Sequence, residues 1–444
     1  MRSSLQASFR LFFYLLLVLF PLIVGAIFRP VQASASALVN FSAALGYIGF
    51  SIMALELILV SRFEGALWAF GLDALQMFHR QIGIFALALV VAHPLALAAA
   101  GYPWRMALPG AAVPWAIPLG TLALVAALLL IGFSVWRKAL KIPYERWQLT
   151  HSLLTIALLL LAAVHILLAG RYAQTTPMQA TIVLYLLLLT GLFLYYRVIK
   201  PRRRLRQPWT VVENRVELGN ARTLRLQPEG HPGWGFESGQ FSWINLNPSP
   251  FSLEQHPISM SSCGDRAAET GEIDFTIKDL GDWSGQQVAA VKPGDRVWLD
   301  GPYGVFTLDA VPAPGYVFLA GGVGITPLYA MLSTMANRED ARPALLFFGA
   351  PNLESLILRE EVLALEKRMN LRVVLVLSRP AADWQGETGY IRTELLRKYL
   401  PAKNYQRWEY IICGPGPMVD AMEQTLPEIG VPIARIHAER FDMV

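Results

Sequence analysis

Six long apolar runs before Pro201 constrain this chain more than any other feature of its sequence. Each run approaches the ~20 residues that an α-helix needs to cross the hydrocarbon core of a bilayer. The predicted spans are Leu11–Phe28, Leu38–Val60, Phe78–Ala100, Trp115–Trp136, Thr150–Ala169 and Met178–Ile199. The rest of the 444-residue chain has the mixed composition of a water-soluble protein. We therefore predict a six-helix membrane bundle over residues 1–200, followed by soluble domains.

Lysine and arginine side chains in the connections predict the orientation of the bundle. The connections, chain ends and adjoining span ends on one side carry 14 of them, and those on the other side carry three. Positive residues accumulate on the cytoplasmic side, so we expect a multi-pass protein of the plasma (cell inner) membrane with both termini in the cytoplasm. The basic run Lys200–Arg206 is expected to act as a linker, over 201–207, that anionic headgroups attract. The positive charge lies mostly beside the membrane and does not indicate nucleic-acid binding.

The first apolar run has a second interpretation. Arg2 and Arg10 precede it, and the small residues Ala33–Ala35 follow it, as in a secretory signal with its cleavage site. The run is longer than the ~7–15 residues usual for the core of such a signal. We favour a retained first span.

Four of the seven histidines lie in the apolar region at a repeated interval. His79 and His93 lie on the third span, and the same separation in sequence recurs between His151 and His165 on the fifth. On an α-helix that interval rises about 21 Å and returns to within roughly 40° of the same face. The two spans run in the same direction, so His79 is predicted to be level with His151, and His93 with His165.

Two such pairs predict two metal sites with two protein ligands each. A zinc ion needs three or four protein ligands, and no Cys, Asp or Glu is expected at either level. Glu56, on the second span, is expected to reach the membrane surface or to pair with Arg62. An iron porphyrin needs only two axial ligands, and His is a common one. Two bis-histidine haems therefore fit the pattern, and polar packing between helices is the other interpretation.

The histidine pattern resembles the ferric reductase transmembrane domain shared by NADPH oxidases and iron reductases. The resemblance covers roughly residues 40–200. In that family the third and fifth helices each supply two haem ligands. The resemblance implies two b-type haems, the inner one ligated by His79 and His151 and the outer one by His93 and His165.

The second half of the chain shows two successive patterns. From Trp209 short alternating segments predict a small antiparallel β-barrel over residues 208–311. From Gly315 strands and helices alternate, which predicts a parallel sheet with crossover helices over residues 312–444. Both cysteines, Cys263 and Cys413, fall in this half and indicate no disulfide framework.

A glycine-rich turn follows the first strand of the predicted parallel sheet. It reads Gly321–Gly322–Val323–Gly324–Ile325–Thr326–Pro327. Glycines let the backbone approach a phosphate closely, and a helix N-terminus favours an anion. Thr326 is expected to cap the helix and Pro327 to occupy its first turn. A purely structural tight turn is the alternative.

Further motifs in a fixed order resemble the ferredoxin–NADP reductase superfamily over nearly all of residues 208–444. They are His256–Pro257–Ile258–Ser259, Gly281–Asp282–Trp283–Ser284, Gly301–Pro302–Tyr303–Gly304, the glycine turn, Cys413–Gly414–Pro415–Gly416–Pro417–Met418 and Glu439–Arg440–Phe441. The FAD contacts that the resemblance implies are His256, Pro257, Ile258, Ser259, Lys278, Gly281, Trp283 and Ser284. The NAD(P)H contacts that it implies are Gly321, Gly322, Gly324, Thr326, Pro327, Cys413, Gly414 and Pro415. Phe441 would stack on the flavin, and Ser259, Cys413 and Phe441 would stand beside the reacting atoms.

The two halves together predict an electron-transfer enzyme. A nicotinamide gives up two electrons as hydride, a haem accepts one, and a flavin can mediate between them. We predict transfer from cytoplasmic NAD(P)H through FAD and two haems to an external acceptor, either oxygen, giving superoxide, or chelated ferric iron. Ser378 and Arg379 would favour NADPH by binding its 2′-phosphate, unless they belong to a solvated loop.

Two other functions are compatible with the sequence. The chain could supply electrons to an extracytoplasmic protein partner and have no small-molecule acceptor of its own. It could also be a six-span channel or transporter with a nucleotide-sensing domain.

Overall fold

The first part of the fold is a bundle of long helices. The computed structural model describes residues 2–28, 36–60, 72–103, 114–169 and 172–440, and the chain divides into two compact units, Met1–Lys200 and Pro201–Val444. The long helices of the first unit are α1 (Arg2–Ile27), α2 (Ala37–Val60), α3 (Leu72–Ala99), α4 (Ala116–Val135), α5 (Tyr144–Ala169) and α6 (Thr176–Leu194). A π-helix (Tyr195–Ile199) and the short α7 (Lys200–Arg204) follow.

All six long helices have the length and apolar composition to cross a membrane. Several of them begin before the predicted spans, because hydropathy marks the apolar part of a helix and not its polar ends. The alternative cleavage site at Ala33–Ala35 lies outside the described residues, and so does Arg62.

Helix pairs in the first unit pack through small side chains. α2 packs along α3, and α4 packs along α5. Ala54, Ala86, Ala127 and Ala163 are fully buried at the centre of the bundle. Small residues let helix backbones approach closely, which favours association in lipid, where helices gain little from apolar burial.

The second unit begins with a closed antiparallel barrel. Its strands are β1 (Trp209–Glu217), β2 (Ala221–Pro228), β3 (Phe241–Asn245), β4 (His256–Ser259), β5 (Ile273–Lys278) and β6 (Arg296–Tyr303). They lie in the order β4-β3-β6-β1-β2-β5, and a bridge between Met260 and Phe275 joins the two edges. Short helices α8 (Gly264–Thr270) and α9 (Val288–Ala290) lie between strands. The predicted barrel is confirmed. The sequence does not predict β4, because this strand has four residues and includes a proline, which cannot donate to a ladder.

A six-stranded parallel sheet completes the second unit. Its strands are β7 (Tyr316–Gly321), β8 (Ala344–Ala350), β9 (Leu371–Leu377), β10 (Glu387–Thr388), β11 (Glu409–Gly414) and β12 (Ile436–Arg440), in the order β10-β9-β8-β7-β11-β12. Its helices are α10 (Ile325–Asn337), α11 (Arg359–Leu365), α12 (Thr393–Tyr399) and α13 (Gly416–Glu428). α10 and α11 cover one face, and α12 and α13 cover the other. The predicted fold class is confirmed.

One residue of the predicted basic linker is turned into the protein. The Arg204 side chain is 9% exposed and forms an ion pair with Asp300 of β6, whose side chain is 4% exposed. Tyr303 also donates to Asp300, over 2.6 Å. Removing one partner of a buried pair costs about 3–5 kcal/mol. Arg204 therefore anchors α7 to the barrel, and headgroup attraction does not describe it.

Candidate functional site

The four intramembrane histidines come together as two pairs, at the levels that the repeated interval predicts. The ring centroids of His79 on α3 and His151 on α5 are 6.3 Å apart, with the ring planes at 67°. Those of His93 and His165 are 6.2 Å apart, at 78°. Among the residues that the structure describes, no hydrogen bond joins the two rings of either pair. The rings of each pair thus face a common space.

That space has the size of one metal ion. A metal–imidazole bond is about 2.0 Å long and the ring centroid lies about 1 Å behind its nitrogen, so two rings sharing an ion have centroids about 6 Å apart. Both pairs meet this condition. In the described parts of the chain, no group of three or more His, Cys, Asp or Glu side chains is placed to hold a metal. The pairs therefore suit an ion whose other ligands come from a macrocycle.

The Nδ1 atoms of the His79–His151 pair are held by side chains. His79 Nδ1 contacts Glu56 Oε2 of α2. His151 Nδ1 lies 3.1 Å from Ser134 Oγ of α4. The Ser134 hydroxyl donates to the Leu130 carbonyl, over 2.7 Å, so the His151 N–H is the donor in that contact. Trp147 also donates to Ser134 Oγ, over 3.2 Å.

The Nδ1 atoms of the His93–His165 pair are held by backbone carbonyls. His93 Nδ1 donates to the Ser42 carbonyl over 2.8 Å, and His165 Nδ1 donates to the Ala116 carbonyl over 2.6 Å. The Ser42 hydroxyl also lies 2.9 Å from His93 Nδ1 and donates to the His93 carbonyl over 2.8 Å. A histidine that donates from one nitrogen presents the lone pair of the other as a metal ligand. All four histidines are arranged in this way, with Nε2 left for a metal.

Two glycines make room for the rings of the His93–His165 pair. A Cβ on Gly46 would lie 3.3 Å from His93 Nδ1, and a Cβ on Gly120 would lie 2.6 Å from His165 Nδ1. Each glycine stands one helical turn after the carbonyl that accepts from the same histidine. The same local arrangement therefore occurs on α2 and on α4.

The structure corrects the expectation for Glu56. The residue is 6% exposed, so it does not reach the membrane surface. It lies against His79, so an acidic residue does accompany one of the histidine levels. No sequence pattern indicates this contact, because it depends on how α2 is rotated toward α3.

The implied flavin residues meet at one end of the barrel. The rings of His256 and Trp283 stack at 3.9 Å with 24° between their planes. His256 and Ser259 are the ends of β4, where they pair with Ile244 and Phe241 of β3. The indole N–H of Trp283 is buried without a hydrogen-bond partner in the described residues. A buried donor of this kind suits an anionic or carbonyl group of a bound molecule, and FAD has both.

The implied FAD contacts Gly281 and Ser284 adjoin Trp283 in the chain. Ser284 Oγ accepts from the Leu280 amide over 2.8 Å and donates to the Gly281 carbonyl over 3.3 Å, which fixes the turn. A Cβ on Gly281 would meet nothing within 4 Å, so this backbone is open on that side. Lys278 ends β5, just before the turn. Ile258 lies partly buried against the barrel core.

The two implied nucleotide loops lie against each other at the carboxyl edge of the parallel sheet. β7 and β11 are neighbours, with Ala320 beside Cys413. A Cβ on Gly324 would lie 2.2 Å from the Cys413 carbonyl oxygen, and one on Gly321 would lie 2.5 Å from Met418 Sδ. Only glycine fits at these positions. Helices leave opposite faces of the sheet here, which makes this the crevice where doubly wound sheets bind nucleotides.

The role predicted for Thr326 at the helix start is wrong. α10 begins at Ile325 with Gly324 as its N-cap residue. Thr326 lies inside the first turn, where its hydroxyl donates to the Val323 carbonyl over 3.0 Å. Pro327 lies in that first turn, as predicted. The Thr326 hydroxyl is therefore used locally and does not cap the helix.

Other implied residues are found in different surroundings. Cys413 is fully buried in the core beneath the glycine turn, and both cysteines are free thiols, as predicted. Ser378 and Arg379 follow β9, where their amides donate to the carbonyls of Ala350 and Pro351 over 3.0 and 2.8 Å. Phe441 lies outside the described residues.

Contacts within the second unit hold the barrel against the sheet. Ser238 Oγ and Thr334 Oγ1 are 2.6 Å apart and buried. Arg338, after α10, donates to Asp265 over 2.7 Å and to Asp309 over 2.6 Å. The hydrogen bond from Arg338 holds the pKa of the Asp309 carboxyl below its usual range. These contacts fix the flavin residues relative to the nucleotide loops.

The fold and these sites define an NAD(P)H-dependent oxidoreductase with a membrane-spanning part. Residues 45–162 match the family described as "Ferric reductase like transmembrane component", and residues 318–424 match "Oxidoreductase NAD-binding domain". The first match includes His79, His93 and His151 and ends shortly before His165.

Similar proteins identify the family of the reductase part of the chain. Ferredoxin–NADP reductase B of Sorangium cellulosum is 33% identical over 215 residues, which cover 47% of this chain and 86% of that protein. The reductase component of propane 2-monooxygenase of Rhodococcus jostii is 30% identical over 227 residues, 49% of this chain and 59% of that one. The chain belongs to the ferredoxin–NADP reductase family, and it carries a ferric reductase-like transmembrane component before the reductase module. FAD and NAD(P)H are the cofactors of that module.

A solved structure is similar over most of the chain. The flavohemoglobin of Malassezia yamatoensis, with bound FAD and heme, aligns with a TM-score of 0.50 at 16% identity and covers 92% of this chain and 99% of that one. At this identity the likeness concerns the fold alone.

Proposed function

We propose that the protein transfers electrons across the cytoplasmic membrane, from NAD(P)H through FAD and two bis-histidine b-type haems to an external acceptor. Oxygen, giving superoxide, and chelated ferric iron are the acceptors proposed. The observation that carries the proposal is that the two histidine pairs have nearly equal ring separations, 6.3 and 6.2 Å. In all four histidines Nδ1 has a hydrogen-bond partner, which leaves Nε2 for a metal. The Lys and Arg distribution supports a cytoplasmic location for the reductase module.

In this proposal the protein positions the cofactors and shields them from water, and the cofactors supply the redox chemistry. When bound, FAD accepts a hydride from the nicotinamide and releases electrons singly, and each haem iron carries one electron. His79, His151, His93 and His165 would hold the irons by Nε2. The apolar helices around them exclude water and small ions from the path.

The reductase residues would place the two ring systems in contact. Gly321, Gly324 and Gly414 let the two nucleotide loops lie close together. A Cβ on Gly322 would meet nothing within 4 Å, so a dinucleotide backbone could approach there, and free amides at the start of α10 would favour its phosphates. Trp283 and His256 form an apolar and hydrogen-bonding wall for the flavin. Ser259 ends the strand beside them, and Phe441 follows β12, which ends level with Gly414.

Arg379 supports NADPH as the electron donor. It is exposed to solvent at the carboxyl edge of the same sheet as the glycine turn, where the ribose end of a bound nucleotide would lie. An Arg–phosphate contact contributes about 1.5–3 kcal/mol. Arg379→Ala is expected to raise the KM for NADPH about 10- to 100-fold and to leave that for NADH unchanged. An equal effect on both nucleotides would contradict the preference, and Arg392→Ala on the same unit is the control.

The proposed function is tested by anaerobic mixing of the detergent-solubilised protein with NADPH or NADH. Flavin absorbance is expected to fall first and reduced haem bands to appear afterwards. Purified protein without haem bands would contradict the proposal and favour a channel or transporter. On admission of oxygen or ferric chelate, the acceptor that reoxidises the haems faster is the substrate. Slow reoxidation by both would indicate an extracytoplasmic protein partner.

A further inference from the structure

Among the residues that the structure describes, one of the four histidines has an acidic partner and three do not. Glu56 Oε2 contacts His79 Nδ1, whereas the other three Nδ1 atoms meet a serine hydroxyl or a backbone carbonyl. The Glu56 side chain is 8% exposed. Its second oxygen, Oε1, is buried without a hydrogen-bond partner in the described residues. The acidic group is therefore committed to the histidine.

A carboxylate in this position is costly unless a positive charge lies near it. Isolated ionised groups in an apolar helix bundle are strongly disfavoured. In the described parts of the chain, the one ion pair found for Glu56 is with His79. When an imidazole binds a cation through Nε2, the ring is polarised and the proton on Nδ1 becomes more positive. The contact thus places Glu56 where a metal on the far side of the ring would stabilise it.

We propose that Glu56 is a positioning residue that sets the reduction potential of the haem at the His79–His151 pair. A carboxylate that accepts from Nδ1 fixes the ring and raises the electron donation of Nε2 to iron. Greater donation favours the ferric over the ferrous state and lowers the midpoint potential. This inference rests on the proposed function, because it requires haem at both pairs.

The consequence is a direction for electron flow. The His93–His165 pair has two neutral carbonyl acceptors, so its iron lacks an equivalent anionic partner among the described residues. Its haem is expected to have the higher potential. If His79 and His151 hold the inner haem, as the family resemblance implies, electrons would pass from the lower-potential site to the higher-potential site as they cross the membrane.

The test is a spectroelectrochemical titration of the purified full-length protein. The wild type is expected to show two midpoint potentials. Glu56→Gln, which keeps the size and a hydrogen-bond acceptor but removes the charge, is expected to raise the lower potential and leave the higher one unchanged. Low-spin ferric signals in electron paramagnetic resonance should change for one haem only. The same titration in a His165→Leu background assigns the shift to the remaining His79–His151 site.

Matched variants separate charge from structure. Ser134→Ala removes the neutral partner of His151 on the same iron and is expected to shift that potential less than Glu56→Gln does. Glu56→Asp keeps the carboxylate and is expected to give a potential between the wild type and Glu56→Gln.

Two results would overturn the inference. One is two bound haems in Glu56→Gln with both potentials unchanged. The other applies if Glu56→Gln does not retain haem. In that case the inference is overturned when the lower midpoint potential of Glu56→Asp is not below the lower midpoint potential of Ser134→Ala. A wild-type protein that binds no haem would instead overturn the proposed function itself.

Discussion

The two histidine pairs are alike in geometry and different in what holds them. Their ring separations are 6.3 and 6.2 Å. The His79–His151 pair is fixed by a carboxylate and a hydroxyl, and the His93–His165 pair is fixed by two carbonyls with a glycine beside each. All four Nδ1 atoms therefore have an acceptor, which raises the electron donation of Nε2. The carboxylate at the His79–His151 pair can also bring a negative charge to its site, whereas the carbonyls at the other pair are neutral.

The largest expected effect comes from removing a ligand. His151→Leu and His165→Leu are each expected to lower the haem content from two per chain to one, and NAD(P)H-driven reduction of ferric chelate should fall to background. Haem content by pyridine haemochrome and the reduced-minus-oxidised spectrum are the measurements. Each variant should remove a different spectral component. Loss of the same component in both, or of none, would contradict the two-site arrangement. His231→Leu, outside the first unit, is the control.

Gly324→Ala is expected to slow electron supply from NAD(P)H while leaving the two histidine pairs intact. The added Cβ would lie 2.2 Å from the Cys413 carbonyl oxygen, so the turn must move away from β11. Overpacking of this kind costs about 1–3 kcal/mol, which corresponds to about a 10- to 100-fold loss of NAD(P)H-driven reduction. Chemical reduction by dithionite should still show both components. Gly235→Ala, where a Cβ meets nothing within 4 Å, should behave as wild type.

Gly120→Ala should affect only the His93–His165 pair. Its Cβ would lie 2.6 Å from His165 Nδ1 and must displace the ring. We expect about a tenfold faster loss of the haem at this pair, on the basis of an overpacking cost of about 1–3 kcal/mol. Haem transfer to excess apomyoglobin measures the rate. On the same helix, Gly132→Ala brings a Cβ no closer than 3.5 Å to Trp136 and is the control. Faster loss from the other pair would contradict the assignment.

Ser134→Ala is expected to have the smallest effect of these variants. It removes one neutral hydrogen bond, worth about 0.5–1.5 kcal/mol, so haem loss from the His79–His151 pair should be about two- to tenfold faster. Ser42→Ala provides the comparison, because it removes a hydroxyl 2.9 Å from His93 Nδ1 but leaves the carbonyl that accepts from that nitrogen over 2.8 Å. Its haem-loss rate should change less than that of Ser134→Ala. Equal effects of the two serines would show that the distinction between side-chain and backbone acceptors does not matter.

The histidine levels can be predicted from sequence because they depend on helix geometry alone. The interval from His79 to His93 is close to a whole number of helical turns, so it places two side chains on one face of any α-helix. Its repetition on two parallel helices aligns the pairs. The partners of Nδ1 cannot be predicted in this way. Glu56 and Ser134 belong to neighbouring helices, so their contacts depend on helix rotation. The acceptors at positions 42 and 116 are backbone atoms, which have no sequence signature.

In the second unit, motifs locate the loops better than they locate individual atoms. The family resemblance assigns the loops that carry Gly321, Gly324 and Gly414 to one nucleotide site, and the structure places those loops against each other. The sequence predicts a helix start after Thr326, but the glycine turn is itself helical. Its residues Gly322–Gly324 form a short 3₁₀ segment that leads directly into α10 at Ile325, so Thr326 lies inside the helix. The edge strand β12 gives no clear signal in the sequence, because its partly buried residues show no continuous apolar run.

A carbonyl oxygen is present whatever side chain the residue carries. Position 116 can therefore change over evolutionary time and still accept from His165, whereas Ser42 also contacts His93 through its hydroxyl. Position 120 does not have that freedom, because a Cβ there would lie 2.6 Å from His165 Nδ1. In a set of diverged homologues, the invariant residue that marks the His165 contact should be the glycine at 120, one helical turn after the acceptor, and the residue at 116 should vary.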